Sequence, residues 1–64
     1  ANGDMARARL ASAEQQLMSG QPGPAAQSAE AAEALLPTGS PDWLRAQDIA
    51  MSARAEIERQ RKRR

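Results

Sequence analysis

Large apolar side chains are sparse along this chain, and alanines hold most of the helical positions between them. Leu10, Ala13 and Leu17 fall on one face at i, i+3 and i+7, which predicts a helix from Met5 to about Met18. Asn2-Gly3-Asp4 is a turn-like start with Asp4 as the N-cap, and Ser19-Gly20 is a C-cap signal. Gln21-Pro22-Gly23-Pro24 then reads as a stiffened loop, with Pro24 in the first turn of a second helix running to about Leu36. That helix places Ala25, Ala29, Ala32 and Leu36 on one face, with Gln27, Glu30 and Glu33 outside. Pro37 stops it, because a residue before proline disfavours the α region. Thr38-Gly39 turns the chain, and Ser40-Pro41 starts a third helix with Asp42 near its positive end. This helix is expected to run to about Arg59, with Trp43, Ala46, Ala50, Ala53 and Ile57 in one stripe and Leu44 and Met51 flanking it. Met18 and Met51 are expected to fill gaps in the core.

Composition sharpens this reading. Of the 64 residues 41% are hydrophobic, but fifteen of those are alanine, so only eleven larger apolar residues are left to build a core. A domain this small buries roughly 60% of its unfolded surface, and stability is expected to be marginal. With no initiating Met, these features predict a fragment of something larger, or a module that leans on a partner. No apolar run approaches the ~20 residues of a membrane span, and no signal-peptide pattern occurs in this segment. The chain has no cysteine and no histidine, which excludes thiol and imidazole chemistry and nearly every structural zinc site.

The net charge of +1 hides an asymmetry. Residues 1–58 hold four arginines and all eight acids, a net of −4, whereas residues 59–64 hold five bases and no acid. Four segments follow: a flexible start over 1–4, a helix pair over 5–37, a capping helix over 38–58, and a basic, frayed tail over 59–64.

Helices lined with alanine pack at the short end of the usual 8–10 Å separation, and short-looped pairs of this kind build α-solenoids. Over residues 5–37 the pattern resembles a tetratricopeptide repeat, with Gly20 at the inter-helix turn, Ala13, Ala25, Ala29 and Ala32 at packing positions, and Pro37 closing the repeat. It departs from the repeat in helix one, where Arg9, Ser12 and Gln16 fall where large apolar residues are common, and at Ala29, where a bulky aromatic is usual. The fold expected is all-α: a three-helix α-solenoid fragment, made of one tetratricopeptide-like hairpin and a C-terminal capping helix.

From Leu35 to Ile49, the run Leu-Leu-Pro-Thr-Gly-Ser-Pro-Asp-Trp-Leu-Arg-Ala-Gln-Asp-Ile resembles the C-terminal end of certain bacterial cell-envelope zinc metalloproteases. In that family an HExxH protease domain precedes a tetratricopeptide array. The resemblance implies that this chain is the terminal, non-catalytic part of such a protein, in the periplasm or cell envelope, with zinc bound elsewhere in the parent. It carries over architecture only, namely Gly20, Pro37 and the Ser40-Pro41 start of the cap, because the chain contains no HExxH.

Each candidate chemistry has a plainer alternative. Trp43, the only aromatic residue, is open to two readings, a binding hot spot or a core residue against Leu36; in so poor a core, packing and shielding from solvent are expected. Arg45 and Asp48 have the spacing of an exposed i, i+3 ion pair, and Glu30 and Glu33 are carboxylates one turn apart on a polar face, where nothing suggests the pocket that acid–base catalysis needs. Gly20-Gln21-Pro22-Gly23 lacks the Lys and Ser/Thr of a phosphate loop. Arg59, Arg61, Lys62, Arg63 and Arg64 have two readings, a solubilising tail or a polyanion contact. No aromatic residue or glycine is interleaved to stack or splay bases, which argues against nucleic acid; weak contact with anionic lipid is the other polyanion reading, and the solubilising tail is the one favoured. No cofactor is expected in this chain. The function expected is a protein-interaction or structural module whose partner is a protein, a peptide or upstream repeats of the same parent, with a basic-tail tether to membrane or nucleic acid as the alternative.

Overall fold

The structure, a computed structural model, describes residues 2–62, and among them every regular element is helical. Helix α1 spans Asn2–Met18, α2 spans Pro22–Leu35 and α3 spans Pro41–Lys62. Helix α2 lies between the other two and packs extensively on both, while α1 and α3 touch each other far less.

The turns follow from their residues. At the end of α1, Gly20 has φ +77°, the Gln21 N–H donates to the Gln16 carbonyl at 2.9 Å, and the Gly20 N–H donates to the Leu17 carbonyl at 3.2 Å. This is a Schellman cap, and glycine holds its left-handed position without Cβ strain. The Pro37 carbonyl accepts from the Ser40 N–H at 3.0 Å across a turn in which Gly39 has φ +86°, as position i+2 of a type II turn requires. The Ser40 Oγ then accepts from the Trp43 N–H at 3.2 Å and caps α3, whose first residue is Pro41.

Three boundaries differ from the sequence reading. Helix α1 begins at Asn2, so residues 2–4 are helical and Asp4 sits in the first turn, where its charge faces the helix dipole, rather than at the N-cap. Helix α2 begins at Pro22, not Pro24. Two of its first three residues are prolines with no N–H, so few orphan donors remain, and no side chain caps it. Gly23, lacking a Cβ, stays helical before Pro24 with little of the clash a larger residue would meet. Helix α3 continues through Lys62, so residues 59–62 of the expected frayed tail are helical; Arg63 and Arg64 lie outside the described residues.

The core is an alanine seam. Among the described residues, Ala6, Leu10 and Ala13 of α1, Ala25, Ala26, Ala29 and Ala32 of α2, and Ala46, Ile49, Ala50 and Ala53 of α3 are buried. Leu10, Ala13, Ala29, Ala32, Ala46, Ile49 and Ala50 form one cluster; Ala25, Ala26 and Ala53 form a second, and Leu17 packs against both. The predicted stripes are therefore largely inside, with Trp43, Ile57 and Leu36 half-buried at their edges. Met18 and Met51 are not gap fillers: they are 87% and 64% exposed. A seam of methyl groups brings the backbones close and leaves no gap for a long side chain to fill.

Candidate functional sites on the helix surfaces

The residues singled out in the sequence divide into two sets. Gly20, Ala25, Ala32, Pro37, Ser40 and Pro41 build the turns and the seam, and Ala25 and Ala32 are completely buried. Trp43 is half-buried at the start of α3, less shielded than a core tryptophan would be. The second set, Arg59, Arg61 and Lys62, is exposed in the last turn of α3, beyond the buried seam that ends at Ala53. The structure does not bring the two sets together.

Electrostatic contacts join the helices at their edges. Arg45 on α3 donates from Nε to Glu14 on α1, rather than pairing mainly with Asp48 in its own helix. This hydrogen bond, and then the Glu14 charge, hold the Arg45 guanidinium above its ordinary pKa, with smaller support from Asp48 and Asp42. Arg54 on α3 pairs with Glu30 on α2, so Glu30 ties two helices and is not half of a carboxylate dyad with Glu33. Arg59 pairs with Glu56, and Arg61 approaches Glu58 at 3.9 Å, each one turn back in α3.

A shallow polar notch of about 300 Å³ lies at the Schellman corner, lined by Ser12, Gln15, Gln16, Ser19 and Gln21. No titratable side chain lines it, so neither of its serines has a base there to take its proton. Gln16 is the working member. Its side-chain amide lies 2.7 Å from the Ser28 hydroxyl, and with Nε2 on that side it also donates to the Pro24 carbonyl at 3.0 Å. The sequence reading marked Gln16 as a poor match to an apolar packing position; the structure shows a polar bridge to α2 in its place.

The chain has no histidine or cysteine, and among the described residues no three acidic side chains converge as metal ligands would. Among those residues, too, no helix is long and apolar enough to cross a membrane.

The sequence reading put Leu44 and Met51 beside the packed stripe. They are seven residues apart, hence on one line of α3, and Leu44 is turned about 200° from the buried Ala46. Leu44 is 52% exposed, and its line is the most apolar part of the outer surface of α3. Comparison with protein-family models, curated proteins and solved structures yields no match.

Proposed function

We propose that this chain is a non-catalytic, helical protein-interaction module: a tetratricopeptide-like hairpin, α1 and α2, followed by a helix that ends a solenoid and presents an outer face to a protein partner. Its resemblance to bacterial cell-envelope zinc metalloproteases supports a parent of that kind, with zinc and catalysis elsewhere in the parent. The observation that carries the interaction role is the exposed pair Leu44 and Met51. A helix that only sealed a solenoid would carry a polar outer face, and α3 has two large apolar side chains there. The alanine seam supports the solenoid half of the reading, because helices faced with alanine can stack closely.

Methionine oxidation tests it. In the isolated chain Met5, Met18 and Met51 are 54%, 87% and 64% exposed, so dilute peroxide is expected to convert all three to the sulfoxide readily. In the parent protein bound to its partner, Met51 is expected to be protected while Met18 stays reactive. Equal oxidation of both in the bound parent would remove the α3 face as an interface. A parent gene that encodes no HExxH and no further helical repeats upstream of Ala1 would remove the metalloprotease assignment.

A further inference from the structure

Helix α3 outruns the hairpin it packs on. It has 22 residues against 14 in α2, and its last buried residue is Ala53. From Ala53 to Lys62 the helix rises about 13 Å, and past Ile57 every described residue is exposed. The molecule is correspondingly elongated, measuring 42 × 20 × 14 Å.

Charge is sorted along this projection. All eight acids precede Arg59, and the bases Arg59, Arg61 and Lys62 occupy the last described turn, with Arg63 and Arg64 next in the sequence. The negative end of the helix dipole favours cations at this place. The Glu56 and Glu58 partners of Arg59 and Arg61 are themselves substantially exposed, so these contacts are weak and readily exchanged for phosphate.

We propose that the projecting end of α3 docks the protein on a membrane surface that bears anionic phosphate headgroups. Three observations select a flat surface over a nucleic-acid groove. Glu56 and Glu58 are about 200° apart around the helix, so a helix seated between two phosphate walls would turn a carboxylate toward one of them. A plane met by the tip touches the bases beyond both acids. The exposed tip also extends about 7.5 Å past Ile57, the last partly buried residue, so its bases meet a plane before the acids of the packed body do. Lastly, five bases lie within the four to eight that suffice for peripheral attraction. Residues 58–62 include no apolar side chain, so docking is electrostatic, at headgroup depth and without insertion.

Co-sedimentation of the 64-residue chain with vesicles of mixed phosphatidylglycerol and phosphatidylcholine tests this, with pure phosphatidylcholine as the reference. Binding is expected only to the anionic vesicles and is expected to fall steeply with added salt. Replacing Arg59, Arg61 and Lys62 together by Gln should weaken it by roughly a hundredfold, at about one kcal/mol per base. The paired Arg59→Lys and Arg61→Lys variant should keep it, and circular dichroism should show unchanged helicity in both. Equal binding to neutral vesicles, or full binding by the triple variant, overturns the proposal. So does duplex DNA that competes more strongly, phosphate for phosphate, than the anionic vesicles.

Discussion

The Gln16 amide on α1 and the Ser28 hydroxyl on α2 lie 2.7 Å apart, in a partly buried contact twelve residues apart in sequence. It is a polar fastening beside an interface made mostly of alanine and leucine side chains. Removing one partner leaves the other without its bond, whereas removing both need not be costly. Gln16→Leu and Ser28→Ala are each expected to destabilise by about 1 kcal/mol in urea unfolding. The pair Gln16→Leu with Ser28→Ala is expected to recover most of that loss. Strict additivity in the cycle would mean that the two side chains do not cooperate.

Arg45 and Glu14 fasten α3 to α1 at the least extensive of the three helix contacts. Because Arg45 has its pKa raised in the folded state, its contribution is fully present below the ordinary guanidinium value and is lost only as pH climbs through the folded value. At neutral pH, Arg45→Gln should therefore lower Tm slightly. Both partners are partly exposed, so the difference from wild type should shrink between low and high sodium chloride. A difference that is the same at both salt levels would point to lost packing of the arginine stem instead.

The alanine seam makes a sharper prediction. Ala29 is completely buried in the cluster shared by all three helices, while Ala34 is exposed on the same helix. Ala29→Leu should destabilise by about 1–3 kcal/mol through overpacking. Ala34→Leu should stay within about 0.5 kcal/mol of wild type. Similar melting curves for the two variants would mean that the helices are not closely packed.

Two glycines should respond in opposite directions. Gly20 holds φ +77° in the Schellman cap, so Gly20→Ala should cost about 1 kcal/mol from backbone strain. Gly3 is inside α1 with open space around its Cβ position, so Gly3→Ala should stabilise by up to about 1 kcal/mol. Thermal melts of both variants decide the matter, and a stabilised Gly20→Ala would contradict the cap geometry.

Legibility differed from residue to residue for physical reasons. The stop at Pro37 and the cap at Ser40 were readable because each rests on covalent geometry or a contact three residues away. Gly20 was readable for the same reason, but the start of α2 was not: Pro22 and Pro24 both suit the first turn, and only the backbone path decides between them. Ile49, three residues after Ala46 and four before Ala53, shares the stripe by spacing alone and is buried, whereas Trp43 stands at its edge. The partners of Arg45 and Glu30 were not readable, because the nearest opposite charge in space is on another helix.

The amino-acid sequence by itself determined three helices, their turns and an apolar face on each, mostly alanine on α2 and α3, since these depend on local backbone preferences and a 3.6-residue period. The tertiary structure decided which faces were buried, leaving Leu44 and Met51 exposed on the side of α3 turned away from the seam and Met18 exposed at the end of α1. It also decided that the basic residues 59–62 project on a continuous helix. That follows from the unequal lengths of α2 and α3 once they are packed side by side.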